Sequence, residues 1–326
     1  MLISWNVTKE CNLSCRHCYR DAGEKARDEL TTQEGKDLLE EMEVAGFKII
    51  VFSGGEPLLR EDVFELISFA QEIGLRPVLG TNGTLITRET THKLKQAGCQ
   101  RVGISLDSLT PKTHDRFRNE NGAWARSVNA MKLCREIGLP FQVHTTITKN
   151  NYEEIEEICD FVENLGACAN HLFFLVPCGR AKDDKDIYLT AAEHERVLYK
   201  ILEKQKSTTM ELKPVCAPQF IRLAAMMKQE IRFDKGCLAG ISYCCILPNG
   251  DLHPCPYLPL KVGNVREERF SELWQTNDVF WNLRRRDYRG RCAGCEHKTT
   301  CGGCRAVAYY YQGDYLGEDI LCGYAK

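Results

Sequence analysis

The chain has 326 residues, of which 43% are hydrophobic and 27% are charged, and its formal net charge is −2. This composition is ordinary for a protein that buries a full core, and the length suggests about two domains. The small net charge provides no global field for nucleic acid, and no apolar run reaches the length of a membrane span. We therefore expect neither nucleic acid nor membrane as a partner.

Cysteine is the unusual residue, with eighteen copies. The first residues, MLISWNVTKECNLSC, lack the charged start, apolar segment and cleavage site of a secretory signal. Because disulfides belong to secreted proteins, we expect reduced thiols and a cytoplasmic protein. Cysteines grouped at short spacing are then predicted to be metal ligands. The isolated ones, which we expect in the core, are Cys99, Cys134, Cys159 and Cys168.

Residues 1–185 alternate short apolar runs with amphipathic stretches. Strands are predicted at residues 2–7, 48–53, 77–80, 101–106, 141–147 and 171–176. Helices are predicted at residues 31–45, 61–73, 87–96, 124–137 and 152–165. Such alternation is typical of a parallel sheet with helices outside it, and we expect an α/β fold with a partial (β/α)6 TIM-like barrel. An open doubly wound sheet is the alternative; in both folds the reactive loops follow the carboxyl ends of strands.

The pattern changes after residue 185. Residues 186–230 are predicted to form a helical linker without a strand, and residues 231–326 a small Cys-rich domain. The segment LPNGDLHPC, with Asn249 and Gly250 at its centre, predicts a β-hairpin. Metal ligands are expected to stabilise this second domain, because its helical content is low.

Three cysteines follow the first predicted strand at spacing C-x3-C-x2-C: Cys11, Cys15 and Cys18. Three thiolates on one loop suit three corners of a four-iron cluster. The fourth iron would then be open to a chelating ligand, as the open position is at catalytic zinc. The spacing alone leaves a zinc site with a distant fourth ligand as an alternative.

Further polar motifs follow the next predicted strands. Their residues are Gly54, Gly55, Glu56 and Pro57 after the second, Asn82 after the third, Ser105 and Asp107 after the fourth, and Thr145 at the end of the fifth. The two glycines are expected to let backbone groups approach a ligand. The Glu56 carboxylate suits an ammonium group, and Ser105 and Asp107 suit ribose hydroxyls.

This order of motifs resembles the radical S-adenosylmethionine (SAM) superfamily, whose signature C-x3-C-x-Φ-C is matched with His17 before Cys18. The resemblance implies a [4Fe–4S] cluster with an open iron, on which SAM binds through its amino and carboxylate groups. It also implies that the motif residues above bind SAM, and that a 5′-deoxyadenosyl radical removes a hydrogen atom from the substrate. It identifies no catalytic residue.

The later cysteines resemble the SPASM extension, which carries one or two auxiliary iron–sulfur clusters. The resemblance implies auxiliary cluster I on Cys237, Cys255 and Cys304, with Cys244 or Cys245 as the fourth ligand and Cys244 preferred. Auxiliary cluster II would be held by Cys292, Cys295, Cys301 and Cys322. The usual pattern has three residues where CGGC has two, which puts the geometry near Cys304 in question. Structural zinc sites are the alternative.

The opening SWNVTKECNLSCRHCYRDAG and the closing CGGCRAVAYYYQGDYLGEDILCGY resemble the NirJ and Ahb branch of haem and haem d1 biosynthesis. This implies a tetrapyrrole substrate of the iron-didecarboxysirohaem type, which loses side chains or has propionates oxidatively decarboxylated. A flavodoxin or ferredoxin would supply electrons. A peptide or protein maturase is the alternative within the class, and a non-catalytic iron–sulfur electron carrier is the alternative outside it.

Several residues are compatible with a large polycarboxylate without indicating one. The basic ones are Arg284, Arg285, Arg286, Arg289 and Arg291, and the aromatic ones are Tyr309, Tyr310, Tyr311 and Tyr315. A solvated basic face and packing around a cluster are the alternatives. Cys178 and Arg180 follow the sixth strand. Cys178 would face the site or serve only structure, and Arg180 would contact SAM or a substrate carboxylate or be an ordinary surface arginine. Neutral His144, His171 or His253 would ligate a substrate iron or be ordinary hydrogen-bonded side chains.

Overall fold

The computed structural model describes residues 1–233 and 235–324. The strands in this part of the chain are β1 (Leu2–Thr8), β2 (Ile49–Gly54), β3 (Arg76–Thr81), β4 (Arg101–Ser105), β5 (Phe141–Ile147), β6 (Ala169–Phe174), β7 (Glu211–Val215), β8 (Tyr243–Ile246), β9 (Asp251–His253) and β10 (Gly263–Asn264). They form one sheet in the order β10-β9-β8-β1-β2-β3-β4-β5-β6-β7. Strands β1 to β7 are parallel, β8 runs parallel along the other side of β1, and β9 and β10 are antiparallel. This parallel sheet confirms the predicted α/β class.

The helices lie mainly between the strands. Those described are α1 (Thr32–Val44), α2 (Val63–Glu72), α3 (Arg88–Gln96), α4 (Pro111–Arg118), α5 (Ala123–Ile137), α6 (Ile155–Leu165), α7 (Ala191–Gln205), α8 (Gln219–Met226), α9 (Phe270–Thr276), α10 (Asp278–Arg285) and α11 (Arg305–Gln312). The five predicted helices are confirmed as α1, α2, α3, α5 and α6, while α4 was not predicted. Within residues 1–233 and 235–324, no helix is long and apolar enough to cross a membrane.

The two faces of the sheet differ in polarity. In β1, Ile3, Trp5 and Val7 belong to the main apolar core, whereas the alternate residues Ser4 and Asn6 are polar. The core face is covered by helices. The opposite face carries polar side chains such as those of Ser4 and Asn6, so it is the face on which chemically active groups can lie.

One strand lies where helices alone were predicted, so that part of the prediction for residues 186–230 is wrong. Strand β7 pairs with β6 at one end of the sheet order. The alternation of buried and exposed residues along β7 is weak, because Leu212 is the one buried residue of this strand and Pro214 interrupts the pattern. Proline lacks the N–H that a central strand needs, and an edge strand tolerates it.

The predicted hairpin is confirmed by β8 and β9, which pair antiparallel around Asn249 and Gly250. Strand β8 also pairs with β1, with Ile3 opposite Cys244 and Ser4 opposite Cys245. The C-terminal segment therefore extends the sheet of the N-terminal one. The domain boundaries at residues 185 and 230 stay a prediction.

Candidate functional site

The first cysteine triplet lies on the loop that leaves the carboxyl end of β1. The loop is closed by backbone hydrogen bonds from Cys11 N to the Gly23 carbonyl (2.8 Å) and from Gly23 N to the Lys9 carbonyl (3.0 Å). Cys15 is buried, while Cys11 and Cys18 are partly exposed. Burial raises the pKa of the Cys11 thiol to about 12, and the neighbouring Glu56, Cys15 and Cys18 add to the rise. The three thiols thus influence one another, as neighbouring ligands would.

Gly54 and Gly55 bring β2 against this loop. A Cβ atom on Gly54 would lie 2.4 Å from the Thr8 carbonyl oxygen, and one on Gly55 would lie 2.1 Å from that of Glu10. Gly55 N and Glu56 N donate to the same two carbonyls, over 2.8 and 2.7 Å. The close approach expected at these glycines is therefore made by the chain's own backbone, which holds the cysteine loop in place.

Glu56 is fully buried at this junction. Its carboxylate accepts hydrogen bonds from Thr81 Oγ1 (2.8 Å), Asn82 N (2.9 Å) and Leu58 N (3.2 Å). Burial raises the pKa of Glu56 to about 7, because these neutral donors only partly replace water. A ligand ammonium group would supply the opposite charge that favours the carboxylate.

Two neighbouring residues complete this corner of the site. Pro57 is buried and begins a short 3-10 turn (Pro57–Leu59), for which its fixed φ is suited. The Asn82 side chain donates to Asn12 Oδ1 over 3.0 Å, and Asn12 in turn donates to Thr84 (2.9 Å). Asn82 thus links the end of β3 to the cysteine loop.

The residues predicted for ribose have partners within the protein. Ser105 Oγ donates to the Thr81 carbonyl over 3.4 Å. Buried Asp107 accepts from Arg118 Nε (2.7 Å) and Thr146 N (2.9 Å). Buried Thr145 lies nearby. Its hydroxyl donates to Asn170 (3.2 Å). Their roles toward a ligand stay a prediction.

Arg118 is a site residue that the sequence did not indicate. Besides its bonds to Asp107, this buried guanidinium hydrogen-bonds the Cys15 sulfur. Burial raises the pKa of Cys15, and Arg118 opposes that rise. The preceding residue, Phe117, stacks on His17 with ring centroids 3.9 Å apart. Helix α4 therefore supports the cysteine loop, and no short motif in the sequence marks it.

Arg180 clamps the same loop from the far side. Its Nε and Nη1 donate to the carbonyls of Cys15 and Ala22, each over 2.8 Å. Gly179 permits this approach, since a Cβ atom there would lie 2.2 Å from the Cys18 carbonyl oxygen. Arg180 thus has a structural role that neither of its two sequence interpretations described. Cys178 interacts electrostatically with both Cys18 and Cys304.

The C-terminal cysteines form two neighbouring groups. Cys301 and Cys322 each interact electrostatically with Cys292, and Cys301 also interacts with Cys322. The Tyr324 backbone is hydrogen-bonded to Cys322, and the Tyr324 side chain interacts electrostatically with Cys295. These four are the residues predicted for auxiliary cluster II.

The second group contains the three cysteines predicted for auxiliary cluster I. Cys237 and Cys255 each interact electrostatically with Cys304. Cys304 belongs with Val176 and Leu258 to a small apolar core. The three thiols therefore share one buried environment.

The shortened CGGC spacing is accommodated by two left-handed glycines. Gly302 and Gly303 have φ values of +70° and +66°. A Cβ atom on Gly303 would lie 2.6 Å from the Arg305 guanidinium and 2.8 Å from the Asp319 Cβ. The resulting turn allows Cys301 and Cys304 to join different groups although only two residues separate them.

Cys244, the preferred fourth ligand, lies elsewhere. It is opposite Ile3 in the sheet and belongs to the main apolar core. Its neighbour Cys245 points to the other face, where its sulfur lies 3.5 Å from Arg20 Nη2. The position of Cys244 argues against its predicted role, because alternation along β8 turns its side chain away from the other thiols.

Four arginines of the run have partners within the protein, and three of these are ion pairs. Arg284 donates to the carbonyls of Gly240 and Trp274, and the other pairs are Arg285 with Asp287, Arg289 with Asp314, and Arg291 with Glu318. The tyrosines are also partly engaged, since Tyr315 accepts from Asn282 over 3.1 Å and Tyr310 donates to the Lys182 carbonyl. This region is thus better described as a paired surface than as an anion site.

Thiolates are the ligands that iron–sulfur clusters prefer, and the triplet loop presents three of them beside a buried carboxylate. The residues therefore fit the cluster and SAM that the motifs imply. Across residues 1–233 and 235–324, no three His, Cys, Asp or Glu side chains converge closely enough to hold a single metal ion.

Comparison with known proteins agrees with this chemistry. Residues 5–162 match the radical SAM superfamily, and residues 237–296 match the SPASM iron–sulfur cluster-binding domain. The chain is 41% identical to an AdoMet-dependent heme synthase of Methanosarcina barkeri, over 99% of this chain and 96% of that one. It is 32% identical to an Fe-coproporphyrin III synthase of the same organism, over 100% and 88%.

A solved structure shares the fold. Streptococcus suis SuiB bound to S-adenosylmethionine superposes with a TM-score of 0.79 at 18% identity, over 99% of this chain and 77% of that one. The chain belongs to the radical SAM superfamily with a C-terminal SPASM domain, and it is an enzyme whose cofactors are a [4Fe–4S] cluster, SAM and auxiliary iron–sulfur clusters.

Proposed function

We propose that this enzyme modifies an iron tetrapyrrole in haem biosynthesis, by oxidative decarboxylation of propionate side chains to vinyl groups. The observation that carries the proposal is the 41% identity to an AdoMet-dependent heme synthase along nearly the whole of both chains. Identity to the Fe-coproporphyrin III synthase is lower, at 32%. This difference favours the haem-forming reaction over removal of whole side chains.

The proposed ligands of the SAM-cleaving cluster are Cys11, Cys15 and Cys18. When bound, the reduced cluster and SAM supply a 5′-deoxyadenosyl radical that removes a hydrogen atom from the substrate. Glu56 would pair with the SAM ammonium group, and Asn82 would hold the adjoining backbone. The remaining residues proposed to line SAM are Gly54, Gly55, Pro57, Ser105, Asp107 and Thr145. Arg118 and Arg180 would keep the cysteine loop in position.

A chain of polar side chains crosses the polar face of the sheet and suits a carboxylate-bearing substrate. Arg101 donates to Gln142 (3.1 Å), which bonds His144 (2.7 Å) and His171 (3.2 Å). His171 in turn lies 3.4 Å from Glu211. Burial lowers the pKa of His144 to about 3, so its imidazole is neutral at pH 7. Neutral imidazole is also the form that binds iron.

An aromatic wall adjoins this chain and suits a flat macrocycle. Phe173 lies 5.1 Å from His144 and 6.5 Å from Tyr257, and Tyr257 lies 5.0 Å from Tyr19, between ring centroids. Arg20 stands 5.4 Å from the Tyr19 ring, and its buried Nε has no hydrogen-bond partner within the described residues. A substrate carboxylate would satisfy this donor.

The proposed reaction requires an electron acceptor. A propionate becomes a vinyl group when it loses one hydrogen atom, one electron and CO2. The two groups of C-terminal cysteines would hold iron–sulfur clusters suited to accept that electron. A flavodoxin or ferredoxin is proposed to deliver the electron that starts the reaction. We also propose that the protein is cytoplasmic, because its cysteines must stay reduced to bind the clusters.

The test is an anaerobic incubation of the reconstituted enzyme with dithionite, SAM and one of two porphyrinoids, followed by mass spectrometry. With Fe-coproporphyrin III we expect 5′-deoxyadenosine and a product lighter by CO2 and two hydrogen atoms per side chain. Iron-didecarboxysirohaem tests removal of whole side chains. If 5′-deoxyadenosine forms while both porphyrinoids stay unchanged, the tetrapyrrole proposal fails and peptide substrates are tested next.

A further inference from the structure

Cys216 lies with the three thiols proposed for auxiliary cluster I, although it is distant from them in sequence. It directly follows β7 at the carboxyl end of that strand. Its sulfur is hydrogen-bonded to that of Cys304, and it interacts electrostatically with Cys255 and Cys237. It also packs against the small apolar core that contains Cys304. Cys216 therefore lies beside Cys304 and interacts electrostatically with all three members of the group.

The backbone at Cys216 is held in an unfavourable conformation. Its φ is +63°, in the left-handed region that residues with a Cβ seldom adopt. Such strain persists where the surroundings require a side chain to point in one direction. Here that direction brings the sulfur to Cys304.

The other unassigned cysteines fit the group less well. Cys244 faces the main apolar core. Cys245 interacts electrostatically with Cys255, but its sulfur already accepts a hydrogen bond from Arg20. Cys178 interacts electrostatically with Cys304 and Cys18, but the neighbours that most affect the pKa of its thiol do not include Cys237 or Cys255.

We propose that Cys216 is the fourth ligand of auxiliary cluster I, with Cys237, Cys255 and Cys304. This inference rests on the proposed roles of those three cysteines. A cluster with four thiolate ligands has no open iron, so the substrate would not bind to it directly. Auxiliary cluster I would then transfer electrons, and the edge strand of the N-terminal sheet would supply a ligand to a C-terminal cluster.

The experiment uses the full chain with Cys11, Cys15 and Cys18 replaced by alanine, so that the remaining iron is auxiliary. Iron, sulfide and the EPR spectrum of the dithionite-reduced protein are measured for Cys216→Gly, with Cys237→Ala as positive control. Cys244→Ala and Cys178→Ala are matched negative controls. Glycine is chosen because it adopts a φ of +63° without strain, so the variant loses the thiol while its backbone is relieved.

We expect Cys216→Gly to change iron, sulfide and EPR spectrum as Cys237→Ala does, and both negative controls to match the parent. If iron, sulfide and the EPR spectrum are parental in Cys216→Gly but altered in Cys237→Ala, the inference about Cys216 is overturned. The proposed cluster itself would still be supported. An equal change in Cys244→Ala or Cys178→Ala would also overturn it, because any thiol would then have the same effect. Unchanged Cys237→Ala would instead refute the proposed ligand set itself. Circular dichroism of each variant identifies loss of folding, and Cys216→Ser provides a second, nearly isosteric test.

Discussion

Arg118 and Asp107 form a buried ion pair in which Nε lies 2.7 Å from Oδ2, and the same guanidinium hydrogen-bonds the sulfur of Cys15. One arginine thus joins a carboxylate at the end of β4 to the proposed cluster ligand on the loop after β1. Asp107 and Cys15 are far apart in the sequence.

Replacing Arg118 with alanine should strongly destabilise the protein. It would leave the Asp107 carboxylate buried without its counter-ion, which costs roughly 3–5 kcal/mol. Anaerobic denaturant unfolding measures the change in the free energy of unfolding. The exposed pair of Arg126 and Glu120 is the control, since Arg126→Ala should cost less than about 1 kcal/mol. Equal losses in the two variants would contradict the structural role of Arg118.

Replacing Cys11, Cys15 and Cys18 together with alanine should abolish SAM cleavage while auxiliary iron remains. The physical reason is that the three thiolates on this loop are the proposed ligands of the cluster that binds SAM. Chromatographic detection of 5′-deoxyadenosine and iron analysis test the two parts separately. The converse variant, Cys292→Ala with Cys295→Ala, should lower iron without stopping SAM cleavage. Retained cleavage in the triple variant would refute the first assignment.

Glu56→Gln should weaken SAM binding while it keeps the shape of the site. A hydrogen bond to a charged group contributes about 1.5–3 kcal/mol, which is roughly tenfold to a hundredfold in Kd. Equilibrium binding of SAM to the reconstituted enzyme measures this. Glu61→Gln removes an exposed carboxylate five residues later and should leave the Kd at the parental value. If the two variants bind SAM equally well, Glu56 does not pair with its ammonium group.

His194 should make the folding stability decrease as the pH falls. Its ring packs against Phe174 with centroids 4.4 Å apart, and neither ring nitrogen has a hydrogen-bond partner within the described residues. Burial lowers the pKa of His194 from 6.5 to about 3. Between these values the unfolded chain binds a proton that the folded chain does not. This contribution therefore decreases as pH falls, with a slope approaching about 1.4 kcal/mol per pH unit.

The free energy of unfolding of the parent and of His194→Phe, measured from pH 8 to pH 5, tests this prediction. The two curves should run parallel above pH 6.5, and the variant should be less steep below it. Parallel curves over the whole range would show that His194 is not the group responsible.

Local pattern was sufficient for much of the fold. Six strands, five helices and the hairpin at Asn249 and Gly250 were predicted because each depends on the periodicity or turn preference of neighbouring residues. Strand β7 was missed because Pro214 and a weak alternation hide an edge strand. Helix α4 is short and polar, so the helix that carries Arg118 had no strong apolar periodicity to reveal it.

The sequence by itself determined which chemistry the chain carries, since cysteine spacing and motif order depend on residues that are close along the chain. Only the tertiary structure decided which distant side chains meet. It brings Arg118 to Cys15, turns Cys244 into the apolar core, and places Cys216 beside Cys304. These contacts depend on strand order, on the side of a strand from which each residue projects, and on the pairing of β8 with β1. Such long-range pairings leave no periodic trace in the residues that make them.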